Sequence, residues 1–147
     1  MFDWNEALHT LLHLSIAFAL TGIIGWNREQ EQHNLGIRAF PILGVASCGY
    51  LLLMHRAPFD TGDLSRVLQG MITGIGFVGG GAIVKEGVTA HGTATAASVW
   101  CAGAIGAAVA LDHYPTAIVL TLLNMVALRV LLPLKTKLDG ERQKSSD

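Results

Sequence analysis

Ionisable residues stand at the ends of several apolar segments, where they are the first candidates for chemistry. Arg28 and Glu29 close the first such segment, and Arg38 opens the second. Asp63 and Arg66 open the third at i, i+3 spacing, so on a helix they would share one face and could form an ion pair. An ionisable group kept at membrane depth is costly unless it is paired, which makes each a functional candidate. The alternative for each is an interfacial charge that reaches the lipid headgroups.

Two histidines near the start of the chain raise the question of a metal site. Glu6, His9 and His13 are spaced i, i+3 and i+7 and therefore fall on one face of a helix. Imidazoles at i, i+4 can bind a metal ion. Two histidines near an exposed helix end are not enough for such a site, so the sequence predicts no metal ion and no cofactor.

No set of residues typical of an enzyme assembles. Gly74, Gly76 and Gly79 match the dinucleotide-binding pattern G-x-G-x-x-G, which needs a preceding strand and an acidic residue about 20 positions later. Here the glycines lie inside an apolar segment, and residues 95–98 are small and uncharged. A nucleophile elbow, a zinc-protease motif and paired carboxylates at depth are also missing. The sequence predicts no catalytic residue, and an intramembrane enzyme is kept only as a third alternative.

The composition predicts a membrane protein. The 147 residues are 51% hydrophobic and only 14% charged, whereas ordinary globular chains carry about 25% charged residues. The net charge of −1, without a basic stripe, excludes nucleic acid as a partner. Cys48 and Cys101 both lie in apolar segments and are interpreted as packing residues.

Five apolar segments predict the membrane-spanning helices. They cover residues 7–26, 40–54, 67–84, 94–111 and 114–134. The sequence therefore predicts an all-α polytopic membrane protein, a compact bundle of about five transmembrane helices, with one domain over 1–134 and a short polar tail over 135–147. A helix needs about 20 residues to cross the bilayer, so a four-span alternative makes the shorter second segment re-entrant. The last two segments should form a tight hairpin.

The basic residues predict the orientation, because they accumulate on the cytoplasmic side. With five spans, the side that carries more of them holds Arg28, Arg38, Lys85, Lys135, Lys137, Arg142 and Lys144. The opposite side holds Arg56 and Arg66. We therefore expect the N-terminus outside and the C-terminus in the cytoplasm.

Small residues predict close helix packing between the third and fourth segments. Glycines four apart lie on one helix face and let a neighbouring backbone approach, and hydroxyl groups can add hydrogen bonds between helices. The residues assigned to this packing are Gly70, Gly74, Gly76, Gly79, Gly80, Gly81, Thr93, Thr95 and Ser98. The alternative is that these hydroxyl groups line a small polar cavity.

An ordered series of motifs resembles the N-terminal membrane domain of the MgtC/SapB family. The series reads GWNRE at 25–29, GIR at 36–38, DLSR at 63–66, GIGFVGGG at 74–81 and TATAASVW at 93–100. The resemblance covers about residues 17–110, without the C-terminal cytoplasmic domain of many relatives. This chain departs from the family pattern at Asn27, usually acidic, and at Ala39 and Phe40, commonly Thr and a polar residue.

The resemblance implies a bacterial inner-membrane protein linked to magnesium limitation and, in pathogens, to survival inside host cells. It also implies a regulator of other membrane proteins more than a magnesium transporter. The positions it marks as functional are Arg28, Glu29, Arg38, Asp63, Arg66 and Gln69. Besides the lipid bilayer, the expected partners are other membrane proteins, and a homo-oligomer stays open. The alternative function is a small ion or solute conductor, suggested by Asp63, Arg66 and the hydroxyl groups of the fourth segment.

Overall fold

The computed structural model describes residues 3–31, 36–56, 61–86 and 89–131. Within these ranges the chain forms five α-helices and one small hairpin. The helices are α1 (Trp4–Glu31), α2 (Ala39–Arg56), α3 (Thr61–Gly81), α4 (Thr93–Ala110) and α5 (Tyr114–Val126), and a π-helical turn, Ala127–Leu131, follows α5. The hairpin pairs β1 (Val84–Glu86) with β2 (Thr89–His91) in antiparallel register. The predicted all-α bundle of five helices is confirmed.

Three of the helical stretches that the structure describes are long and apolar enough to cross a membrane. These are Trp4–Glu29, Thr93–Ala110 and Tyr114–Leu131, and Ala39–Met54 is a shorter apolar helix. The predicted class, a membrane protein, agrees with this. The number of spans stays a prediction, because α3 begins with polar residues and is rich in glycine, which lowers its hydropathy.

Helix α4 lies at the centre of the bundle and contacts α1, α2, α3 and α5. Its small residues allow this, because neighbouring helices can approach it on several sides. Ala102, Gly103 and Gly106 are all buried. A Cβ at Gly106 would collide with the carbonyl oxygen of Gly44, so α2 and α4 touch backbone to backbone. Close contact of this kind is the usual role of glycine between membrane helices.

The turn between α4 and α5 is as tight as the sequence predicted. α4 ends at Ala110 and α5 begins at Tyr114. Asp112 takes a left-handed conformation, with φ at 58°. Asparagine and aspartate are among the non-glycine residues that enter this region most readily. Pro115 follows in the first turn of α5, where its missing N–H does no harm.

The predicted end of the third helix was wrong. The apolar run extends to residue 84, but α3 ends at Gly81, and Val84 is the first residue of β1. Three consecutive glycines, 79–81, hold a helix weakly, and the following residues pair as strands instead. The polar tail predicted over 135–147 lies outside the described residues.

Candidate functional site

Arg28 lies inside the bundle and not at a lipid interface. It occupies the last turn of α1, and only 2% of its surface is exposed. Its Nη2 donates a hydrogen bond of 3.1 Å to Oγ1 of Thr95, in the first turn of α4. A cation near a helix C-terminus is stabilised by the helix dipole. The snorkelling alternative for Arg28 is therefore wrong, because its charge is enclosed by protein.

Further polar side chains lie at the same end of the bundle and form what we call the polar layer: Asn27, Arg28, Thr95, Ser98 and Asn124. Asn27 is 5% exposed, and its Oδ1 is buried without a hydrogen-bond partner among the described residues. The Ser98 hydroxyl lies 2.9 Å from the carbonyl oxygen of Ala94 and 3.2 Å from Oδ1 of Asn124. Thr95 and Ser98 thus join α4 to α1 and α5, whereas Thr93 is exposed.

Glu29 and Arg38 flank this end of the bundle at the surface. Oε2 of Glu29 accepts a hydrogen bond of 3.1 Å from the backbone N–H of Ile37, just before α2. A Cβ at Gly36 would collide with the same carboxylate, so glycine leaves the space that the contact needs. Arg38 is exposed one residue later. Glu29 therefore closes the turn into α2, and Arg38 is available to solvent or headgroups.

Asp63, Arg66 and Gln69 lie in the first turns of α3, at the opposite end of the bundle from Arg28. Asp63 is half-buried, and Arg66 and Gln69 are exposed. The structure therefore does not bring the six residues marked by the family resemblance into one site. It divides them between the two ends, as the alternating direction of successive helices requires.

The glycines of α3 differ in their surroundings. A Cβ at Gly79 would lie 3.2 Å from the carbonyl oxygen of Ala96, and one at Gly76 would lie 3.7 Å from the Trp100 ring. These two glycines face α4. The expected contact of the whole glycine run with α4 is not found, because a Cβ at four of the positions would meet no described atom within 4 Å: Gly70, Gly74, Gly80 and Gly81.

Two of these open glycines line a groove between α2 and α3, which we call the α2–α3 groove. Its volume is about 560 Å³. Its walls include Leu43, Ser47 and Tyr50 of α2 and Gly70, Gly74 and Val78 of α3. Nearly all of its surface is apolar, so it suits hydrocarbon or an apolar helix and not an ion.

A second polar cluster lies at the other end of α1. His13 is 1% exposed, and its Nδ1 lies 2.8 Å from the carbonyl oxygen of His9. Its Nε2 lies 2.9 Å from Oδ1 of Asp112 and 2.9 Å from the Tyr114 hydroxyl. Hydrogen bonds from His13 and then Tyr114 lower the pKa of Asp112 below its usual value. Sequence reasoning placed His9 and His13 on one face but missed Asp112 and Tyr114, because nothing local connects positions so far apart.

A bundle of long apolar helices around a small-residue centre, with its charges at the two ends, defines a polytopic α-helical membrane protein. The profile of the MgtC family matches residues 14–137, and the chain belongs to that family.

Relatives agree with this assignment. The chain is 30% identical to the uncharacterized protein slr0014 of Synechocystis sp. over 145 residues, which are 99% of this chain and 60% of that protein. It is 34% identical to Protein MgtC of Brucella abortus over 103 residues, 70% of this chain and 43% of the relative. It is 30% identical to Protein MgtC of Salmonella typhimurium over 118 residues, 80% and 50% of the two chains. The chain thus spans about half the length of these relatives. No solved structure matches it.

Proposed function

We propose that this protein is a regulatory, partner-binding protein of the bacterial inner membrane, and that it acts under magnesium limitation. Its partner is another membrane protein, one transmembrane helix of which lies in the α2–α3 groove. The observation that carries this proposal is the open, glycine-lined wall of α3. The connection to magnesium rests on membership of the MgtC family.

The groove has the features of a surface that receives a helix. Gly70 and Gly74 are spaced i, i+4 and line the groove together. A Cβ added at either position would have no described atom within 4 Å. Paired small residues let a second helix approach closely enough for van der Waals packing, which drives helix association in lipid. The exposed Tyr50 on the opposite wall offers a hydroxyl group for a hydrogen bond to the guest helix.

The position of α3 in the bundle supports the same interpretation. Its main contact is with α4, through Ile75, Gly76 and Gly79, and its contact with α2 is slight. One side of α3 is therefore packed, and the side with Gly70 and Gly74 faces the groove. A guest helix would complete the packing of α3 between α2 and a partner.

The polar residues favour partner binding over ion conduction. Asp63 and Arg66 lie at one end of the bundle and the polar layer at the other. Between them, residues 99–110 of α4 are all apolar, glycine or cysteine.

A cavity of about 410 Å³ beside Ser98 and Asn124 has mainly apolar walls. Thr21, Ser47 and Thr121 are buried between the two ends, and the Thr21 and Thr121 hydroxyls donate to carbonyl oxygens of their own helices. Among the described residues these separate hydroxyl groups do not form a continuous series that could replace the hydration of an ion.

Photo-crosslinking in cells grown at low magnesium tests the proposal. A photoreactive amino acid at Val67 or Val78, both in the groove, should give a discrete adduct that maps to a transmembrane segment of another protein. The same probe at Leu122, exposed on α5, is the control and should not give it. Adding Gly74→Leu should abolish the adduct by filling the groove, whereas Gly80→Leu should not, because Gly80 is equally open but does not line the groove.

Three results would overturn the proposal. An adduct that persists with Gly74→Leu would show that the groove is not the contact, and an adduct with a second copy of this chain would make the groove a homo-oligomer interface. Magnesium flux into sealed vesicles of the purified protein, lost in Asp63→Asn, would establish the conductor instead.

A further inference from the structure

We propose that His9, His13 and Asp112 form a binding site for a divalent metal ion of the zinc class, at the end of the bundle where α1 begins and the α4–α5 turn lies. The site is independent of the α2–α3 groove. It joins the first helix to the final helical hairpin.

The three side chains are already close enough to share an ion. Each offers one ligand atom, and the three atoms lie within 4.8 Å of one another. Zinc bonds to imidazole nitrogen and carboxylate oxygen are about 2.0–2.2 Å long, so two ligand atoms of a tetrahedral site lie roughly 3.3–3.6 Å apart. An adjustment of at most about 1.5 Å, within reach of side-chain rotation, would bring every pair into this range. The exposed His9 ring, whose centroid is 4.0 Å from that of His13, can make this adjustment.

The hydrogen bond on Nδ1 prepares His13 as a metal ligand. The carbonyl oxygen of His9 can only accept, so Nδ1 of His13 must carry the proton that bridges their 2.8 Å separation. In neutral His13 the lone pair is then on Nε2, which points at Asp112. Histidines that bind metals commonly donate their other ring N–H to a backbone carbonyl or a carboxylate in this way.

The contacts around Nε2 call for a positive charge. Nε2 of His13, Oδ1 of Asp112 and the Tyr114 hydroxyl oxygen form a triangle with sides of 2.9 Å. The Tyr114 hydroxyl has one proton, so it can donate a hydrogen bond to only one of the other two atoms of the triangle. With neutral His13, the Nε2 lone pair would face a carboxylate oxygen, which is repulsive. A positive charge between Nε2 and the carboxylate removes this repulsion, and either a proton on Nε2 or a bound metal ion supplies it. The second imidazole nearby, that of His9, favours the metal ion.

The ligand set selects the metal. Two imidazoles and one carboxylate suit zinc and its neighbours among the transition metals, whereas magnesium prefers oxygen ligands and keeps its water. Asp112 is 67% exposed at its side chain, so an ion can enter from solvent and retain a water molecule in the remaining position. His13 forms the buried back of the site. The site would therefore respond to zinc and not to the magnesium associated with the family.

Metal binding by the purified full chain in detergent tests the proposal. After equilibration with Zn²⁺ and removal of excess, elemental analysis should find a single Zn²⁺ per chain, and Co²⁺ should show the strong visible absorption of a tetrahedral site. Asp112→Asn and His9→Ala should each weaken binding at least about tenfold, since each removes a ligand. Asparagine also tolerates the left-handed backbone of residue 112, so the first variant should still fold.

His113→Ala is the matched control, because it removes an exposed histidine beside Asp112 that is outside the cluster. It should leave Zn²⁺ binding unchanged, and millimolar Mg²⁺ should not displace the zinc. The proposal is overturned by a wild-type protein that retains no Zn²⁺, by unchanged binding in Asp112→Asn and His9→Ala, or by an equal loss in His113→Ala.

Discussion

Arg28 and Arg38 are both basic residues at one end of the bundle, yet their surroundings give them different roles. Arg28 is enclosed between α1 and α4 and donates to Thr95, whereas Arg38 is exposed before α2. A guanidinium that has lost its hydration depends on each hydrogen bond that replaces it. Arg28 is therefore part of the interior of the bundle, and Arg38 is the better candidate for contact with a partner or with lipid.

We expect Arg28→Ala to lower the free energy of unfolding by about 2–5 kcal/mol, because it leaves a cavity at a buried position and removes the hydrogen bond to Thr95. Arg38→Ala is the control and should change it by no more than about 0.5 kcal/mol, as is usual for exposed positions. Unfolding in detergent, followed by circular dichroism, measures both. Equal losses in the two variants would contradict the assignment of Arg28 to the interior.

The sequence identified Arg28 and His13 as notable but not their partners. A charge at the edge of an apolar segment can be recognised from the sequence alone, and so can a histidine pair at helical spacing. Thr95 and Asp112 are 67 and 99 positions from the residues they contact. Such contacts depend on which helices become neighbours and on how each helix is rotated about its axis. The hydropathy of the sequence gives no information on either.

At the scale of elements, glycines that look alike in the sequence act differently. Gly106 of α4 is covered by the backbone of α2, so any side chain there would push the helices apart. Gly70 of α3 has open space beside its Cα. The first is required for packing in the bundle, and the second lies on the open surface that we propose receives a partner.

We expect Gly106→Ala to destabilise the protein by about 1–3 kcal/mol through overpacking. Gly70→Ala, the same substitution where there is space, should be neutral or should stabilise the helix by up to about 1 kcal/mol. Thermal unfolding in detergent compares the two variants with the wild type. A Gly106→Ala protein as stable as the wild type would show that α2 and α4 are not in backbone contact.

The positions of all five helices followed from apolar runs, but their ends and their rotations did not. The run at 67–84 contains no polar residue after Thr73, so hydropathy could not show that the helix stops at Gly81. The hairpin of β1 and β2 depends on backbone pairing between short segments. For the same reason, the spacing of the glycines in α3 did not reveal which of them face α4.

For the whole molecule, the alternating helices separate two polar ends. The polar layer with Arg28 lies at one end, and the cluster of His13, Asp112 and Tyr114 lies at the other. Basic residues predict that the Arg28 end faces the cytoplasm. In that orientation the proposed metal site lies outside, where zinc would reach it without crossing the membrane.

Cysteine labelling tests this orientation. In a background without Cys48 and Cys101, Leu111→Cys should react with an impermeant maleimide on intact spheroplasts. Ile37→Cys should react only after the membrane is disrupted. The wild-type side chains are matched in exposure, at 38% each, and lie at opposite ends of the bundle. The reverse pattern would contradict the predicted orientation.

The contact between His13 and Asp112 also has a consequence for the order in which the protein is made. The two residues are 99 positions apart, and ribosomes add about 5–20 residues per second, so the carboxylate is synthesised roughly 5–20 s after the imidazole. During that interval α1 must reside in the membrane with a histidine whose final partner does not yet exist. Closure of this contact therefore follows the synthesis of four helices, α1 to α4.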